Sequence, residues 1–126
     1  GGNIGTQSST IIVRGMATGR IEVGSELLVL IKELKVGLIL GVLYGVLLGI
    51  FANLKFIGTD PMLGLVVGLS IASSMLIAVT VGSFTPLILR KLEIDPAVAA
   101  GPFVTTSIDI LGVLLYFIIA GILLKI

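Results

Sequence analysis

The chain has 126 residues, 56% apolar and only 12% charged, with a mean hydropathy of +1.25 and a net charge of +1. Soluble domains average about 45–50% apolar and about 25% charged, and no soluble core of this length hides so much apolar surface, so the composition is that of an integral membrane protein, all-α and polytopic. The near-neutral charge gives no nucleic-acid footprint, and the absence of cysteine and histidine excludes disulfides, thiolate metal sites and the commonest catalytic base.

The first element, residues 1–20, begins with a small, polar segment unlike a signal peptide. It turns apolar at Ile11–Val13 and reads as the end of a helix whose first half lies upstream, in a longer protein. Asn3, Thr6, Gln7 and Thr10 share one helical stripe, widened by Ser8 and Ser9. Gly1, Gly2 and Gly5 allow another backbone to come close. An ordinary polar loop is the competing reading.

Three spans follow, each long enough for the roughly 20 residues that cross a bilayer. The first covers 25–54, with Val36–Leu54 as its apolar part; the second covers 61–91; the third covers 96–125. The short connections FIGTD and RKLEID make neighbouring spans antiparallel. Gly37, Gly41, Gly45 and Gly49 recur every four residues, and Gly64 and Gly68 repeat the spacing once. Such faces let helix backbones approach closely in lipid. In the second span, Ser70, Ser73, Ser74 and Ser83 read as packing residues and Pro86 as the site of a bend.

Arg14, Arg20, Lys32, Lys35, Arg90 and Lys91 fall at one end of the predicted bundle, Lys55 and Lys125 at the other. Basic loops stay in the cytoplasm. The expectation is therefore a multi-pass protein of the cell membrane with its C-terminus outside.

Asp109 is the only charged residue between Pro96 and Leu124. A carboxylate at the middle of a bilayer costs roughly 3 kcal/mol on insertion scales, and such groups mark ion paths, proton relays or paired sites. Thr105, Thr106, Pro102, Gly112, Val113 and Tyr116 share its helical face. Pro102 cannot donate a backbone hydrogen bond, which frees the Val98 carbonyl. Carboxylate, hydroxyl and carbonyl are hard oxygen donors of the kind that suit Mg²⁺ or Ca²⁺. One carboxylate is thin charge for a divalent ion, but a symmetric dimer supplies two across its axis. The competing readings are a protonated Asp109 bonded to a neighbouring helix and a proton relay. At the level of function, a divalent-cation channel stands first, against an ion- or proton-coupled secondary transporter and a subunit without transport activity. An enzyme is least favoured, because the spans carry no nucleophile–base pair and no paired carboxylates.

Two segments resemble the MgtE family of magnesium channels. GGNIGTQSSTIIVRGMATGRI, Gly1 to Ile21, resembles that family's GGN-x-G-x-Q…RG-x-AT-G motif. DPAVAAGPFVTTSIDILGVLLYFIIAGILL, Asp95 to Leu124, resembles its last transmembrane helix, with DPA, P-x-x-T and D-x-x-G elements. The resemblance covers essentially the whole chain and implies a homodimer with a central pore lined by the second and last helices of each subunit. It implies that Asp109 holds a magnesium ion largely through its water shell. It implies further that the Thr105 backbone carbonyl helps, and that Asn3 is the motif asparagine on the second helix. Residues 1–20 would then be the end of a pore-lining helix. The pore-lining candidates are Thr6, Gln7, Thr10, Gly101, Pro102, Thr106 and Gly112. Gly101 and Thr6 depart from relatives that carry Asn at those positions: Gly101 removes a side-chain ligand and Thr6 offers a hydroxyl in place of an amide, changes that bear on the inner shell and selectivity of the implied pore. The cytoplasmic regulatory domains common in the family have no counterpart in these residues.

Overall fold

The computed structural model describes residues 1–58, 60–99 and 101–126, with the side chain of Ala99 left aside. Thr59, in the loop between the first two spans, and Ala100, inside the third predicted span, lie outside the described residues. The described chain is all-helical: α1 (Gly2–Ala17), α2 (Glu26–Lys55), α3 (Leu63–Lys91), the short α4 (Pro96–Ala99) and α5 (Pro102–Leu124). α2, α3 and α5 are each long and apolar enough to cross a membrane. At 1.5 Å per residue, the 30 residues of α2 reach about 45 Å, well beyond the roughly 30 Å of hydrocarbon.

Local chemistry sets the helix ends. The Thr18 hydroxyl donates to the Arg14 carbonyl at 2.9 Å, and Gly19 then takes φ +73, which closes α1. At the start of α3, Asp60 Oδ1 accepts from the Met62 N–H at 2.8 Å and Asn53 Oδ1 from the Gly64 N–H at 3.0 Å. Two otherwise unpaired amides of the first turn are thereby satisfied. At its far end the Ile94 N–H reaches the Leu89 carbonyl at 2.9 Å.

The run read from sequence as one span over 96–125 is two helices. α4 starts where Asp95 Oδ1 accepts the Ala97 N–H at 3.0 Å, and α5 starts afresh at Pro102 behind Gly101 at φ −105, ψ −104. Proline disfavours the α conformation in the residue before it and is well placed at the first position of a helix. The break therefore has a cause inside the sequence. Pro86, by contrast, sits inside α3 without ending it.

α2 is inside-out relative to a soluble helix. Its buried residues are Leu30 and the small series Gly37, Gly41, Gly45, Gly49 and Ala52, while Ile39, Val42, Leu43, Val46, Leu47 and Phe51 are exposed. The glycines meet α3 in antiparallel order, Gly41 against Ala72, Gly45 against Gly68 and Gly49 against Gly64. A Cβ on Gly45 would stand 2.7 Å from the Gly68 carbonyl oxygen, and one on Gly68 would stand 2.9 Å from that of Gly45. The glycine spacing thus packs helices within one chain, as the sequence implies.

α1 and α5 lie on another side of α3. α1 runs parallel to α3, with Gly1 beside Ser74 and Gly5 wedged against Ala78 and Gly82. α5 runs antiparallel to both, and Val104 and Ile108 are buried with Ala78. A second cluster of Ile12, Ile21, Leu30 and Leu87 ties α1, the following loop, α2 and α3 together at one end. There Arg90 pairs with Glu26 at 2.6 Å and donates to the Ile21 carbonyl at 3.4 Å.

The glycine seam gives a stability test. Gly45→Ala forces α2 and α3 apart at a backbone contact and lowers stability by about 1–3 kcal/mol. Gly121→Ala, whose Cβ meets nothing nearer than 3.5 Å, stays within about 0.5 kcal/mol or gains slightly in helix propensity. Denaturation in detergent compares them, and equal stability of the two variants refutes the seam.

Candidate functional site

The α1–α5 contact gathers the polar residues singled out by sequence. The Thr6 and Thr105 hydroxyls stand 3.2 Å apart, and either can donate to the other. Thr6 also bonds the Gly2 carbonyl at 2.9 Å, and Thr105 the Gly101 carbonyl at 3.2 Å. With one proton each, the two hydroxyls make two of these three bonds at a time: one donates across to the other helix while its partner donates to a carbonyl of its own. One turn further along, Asp109 lies against the backbone of Gly2, where an added Cβ would be 3.5 Å from Asp109 Oδ1 and 3.4 Å from the Thr105 methyl. Thr10 bonds the Thr6 carbonyl at 2.8 Å and continues the α1 stripe toward the basic end.

Asn3, Gln7 and Thr10 on α1 are exposed, as are Asp109, Thr106 and Pro102 on α5; Thr6, Thr105, Gly101 and Gly112 are half-buried. The two polar stripes meet along the α1–α5 contact, with Asp109 beside Gly2 at the end away from the basic residues. Among the described residues Asp109 has neither a hydrogen bond nor an ion pair, and the ion pair found is Arg90–Glu26, at the basic end. Among the described residues, then, Asp109 is not bonded to a neighbouring helix. Its carboxylate remains available to whatever meets this face.

One neighbour was read from sequence as packing alone. Ser74 of α3 stands behind the site, where an added Cβ on Gly112 would be 3.1 Å from its Oγ. The signal was present as a second small-residue series on α3, Ser70, Ser74, Ala78 and Gly82, spaced by four and facing α1 and α5.

The family model described as a divalent cation transporter, MgtE, matches residues 1–119. The chain belongs to the MgtE family. It is similar to the magnesium transporter MgtE of Thermus thermophilus, 38% identical over 125 residues, which is 99% of this chain and 27% of the relative. The MgtE magnesium transporter of Bacillus subtilis is 35% identical over 119 residues, 94% of this chain and 26% of its own length. That of Enterococcus faecalis is 34% identical over 128 residues, 98% and 27% respectively. The chain thus spans about a quarter of the length of these relatives. Both segments that carry the MgtE resemblance meet at the Thr6–Thr105 contact, although 99 positions separate those residues in sequence.

That contact can be weighed by a double-mutant cycle. Thr6→Val and Thr105→Val each destabilise by about 1 kcal/mol, and the pair shows a coupling of about 0.6 kcal/mol, the average for interhelical hydrogen bonds in membranes. Denaturation in detergent measures it. Strictly additive losses show that the hydroxyls do not hold the helices together.

Proposed function

We propose that this chain forms part of a passive pathway for divalent cations, chiefly Mg²⁺, through the cell membrane, with the pore at the axis of a homodimer. The observation that carries this reading is the carboxylate of Asp109, exposed and, among the described residues, without a partner on the shared polar face of α1 and α5. A charge on a lipid-facing surface is costly, so such a face is covered by protein or lines water. Two copies meeting on this face bring two carboxylates to one axis and leave no lone charge in lipid.

The residues suit a hydrated ion. Mg²⁺ prefers octahedral oxygen ligation and gives up its water reluctantly. Two Asp109 carboxylates can attract the hydrate, while Thr105 and Asn3 offer neutral oxygens near it, and Thr6, Gln7, Thr10, Thr106, Gly101, Pro102 and Gly112 line the path. Binding through water stays weak enough for release, which conduction requires. A membrane potential, negative inside, contributes about 4.6 kcal/mol per 100 mV for a divalent ion, twice the single-charge value, and so supplies the driving force. The role is transport rather than catalysis. The six-to-two division of basic residues favours a cytoplasmic end at Arg14–Lys35 and Arg90–Asp95, with the C-terminus outside.

Ion-coupled transport is the second reading, favoured by the interruption between α4 and α5, since discontinuous helices near midplane sites are common in coupled transporters. Currents that follow the Mg²⁺ gradient without a co-ion support the channel; a fixed stoichiometry with protons or Na⁺ supports coupling.

Asp109→Asn in the full-length protein keeps shape and removes the charge. It weakens Mg²⁺ binding and reduces discrimination against monovalent ions in uptake or current measurements, while the fold survives because no cation loses a partner. Unchanged affinity and selectivity overturn the pore site. The dimer axis has its own check. Asn3→Cys cross-links between subunits, whereas Gly41→Cys, buried against α3, does not; the reverse pattern requires a different dimer.

A further inference from the structure

We propose that the loop between α1 and α2, residues 18–25, is a strap that sets the position of the basic end of α1, and that Arg90 and Glu26 are the positioning residues that keep it closed. This rests on the pore reading above, in which α1 lines the path. That reading uses the first half of the segment Gly1–Ile21. It leaves unexplained the second half, where the RG-x-AT-G elements fall.

Those residues build the strap. The Thr18 hydroxyl closes α1 on the Arg14 carbonyl, and Gly19 turns the chain at φ +73, a conformation that costs glycine little. The Ile21 N–H then returns to the Gly15 carbonyl at 3.0 Å. Gly15 makes room for the side chain, since a Cβ there would stand 2.6 Å from Ile21 Cδ1. Among residues 18–24 Ile21 alone is buried, and it packs with Ile12 of α1, Leu30 of α2 and Leu87 of α3. Gly24, at φ +102, turns the chain again toward α2.

Two charged side chains close the strap from outside. Arg90 Nη1 donates to the Ile21 carbonyl at 3.4 Å, and Nη2 pairs with Glu26 Oε1 at 2.6 Å. Glu26 Oε2 accepts from the Gly24 N–H at 2.7 Å. One ring of contacts therefore runs from Ile21 through Arg90 and Glu26 to Gly24 and holds the loop at two points. With side chains 27% and 21% exposed, the ion pair by itself contributes little stability. Each partner also grips the loop, so the consequence of the pair is where the loop lies. The fixed fork of a guanidinium suits two acceptors in this way.

The packing of α1 turns the strap into a control on the path. Toward its other end α1 is fixed by Gly5 against Ala78 and Gly82 and by the Thr6–Thr105 contact. From Gly5 to Gly15 the helix runs about 15 Å. Gln7 and Thr10, candidates for the path, lie on this arm between the two attachments, whereas Asp109 lies beyond the first, next to Gly2. With the strap closed, the arm is held against α3. With the strap released, Gln7 and Thr10 lose their place along the path while the Asp109 site keeps its own. The strap governs the rate of passage, not the affinity of the ion site.

The test compares variants of the full-length protein in proteoliposomes. Arg90→Met keeps the length of the side chain and removes its donors. Amide exchange over residues 21–24 rises by about tenfold or more, the range of one charge-assisted hydrogen bond. Mg²⁺ uptake at saturating Mg²⁺ falls severalfold, and the concentration for half-maximal uptake is unchanged. Exchanging the charges, Glu26→Arg with Arg90→Glu, restores an ion pair between α2 and α3 but not the grip, because a carboxylate cannot donate to the Ile21 carbonyl and a guanidinium cannot accept from the Gly24 N–H. This double variant transports no better than Arg90→Met. Arg90→Lys, which keeps the charge and a donor, falls between Arg90→Met and the unaltered protein. Unaltered uptake in Arg90→Met, recovery in the charge-exchanged protein, or a loss expressed as weaker Mg²⁺ affinity overturns the inference. If Arg90→Met fails to fold, Arg90→Lys decides: faster exchange over 21–24 with unaltered uptake overturns the inference, and faster exchange with slower uptake supports it. Asp109→Asn with unaltered Mg²⁺ affinity and selectivity rejects the pore reading, whereas the exchange of residues 21–24 in Arg90→Met tests the strap independently.

Discussion

Close approach of α3 to its neighbours is the constraint on which the rest of the structure depends. In lipid, apolar burial gives helices little reason to associate, and contact must come from backbone proximity and hydrogen bonds. α3 meets that requirement on two faces. Gly64, Gly68 and Ala72 receive the glycines of α2, while Ser74, Ala78 and Gly82 receive α1 and α5. At the α2–α3 seam Gly41, Gly45, Gly49 and Gly68 each lie against a carbonyl of the other helix, the setting in which Cα–H···O contacts form. A large side chain on either face of α3 would separate the bundle into parts.

This packing decides where polarity can appear. α2 spends its inward face on glycine and turns its large apolar residues outward, so it is finished as a lipid-facing helix. α5 buries Val104, Ile108 and Ala120 and leaves Asp109, Thr106 and much apolar surface exposed. α1 buries Gly5, Ser8, Ser9, Ile12 and Gly15 while exposing Asn3, Gln7 and Thr10. The Thr6–Thr105 pair joins these two incomplete helices and aligns their polar edges. The result is a chain with one face made for lipid and another that lipid would solvate poorly. That asymmetry is why the proposed pathway places a second copy on the polar face.

Much of this was legible in the sequence, for identifiable reasons. Span number and the α2 seam follow from hydropathy and four-residue glycine spacing, signals that depend on single helices. Asp109 stood out because nothing else charged shares its span. Helix partners were harder. The pairing of Thr6 with Thr105 depends on how α1 and α5 cross, which no local pattern encodes. The division of the last span was signalled by Gly101–Pro102, yet the apolar composition runs through the break and hid it.

The separation of charge along the bundle bears on how such a site is tolerated. The basic residues occupy the ends, and one of them, Arg90, pairs with Glu26 and holds the loop that follows α1. That latch, with the cluster of Ile12, Ile21, Leu30 and Leu87, anchors the far end of the helix that carries Asn3 and Thr6. Among the described residues Asp109 therefore has no structural partner whose loss would pull the fold apart. An intramembrane carboxylate costs roughly 3 kcal/mol on insertion scales, an amount that must be offset by packing elsewhere, here by the α3 contacts. In the proposed reading, a costly group without a partner among the described residues serves what it meets outside the chain. In the proposed pathway that is a cation wrapped in water, held between helices that are themselves fixed from behind.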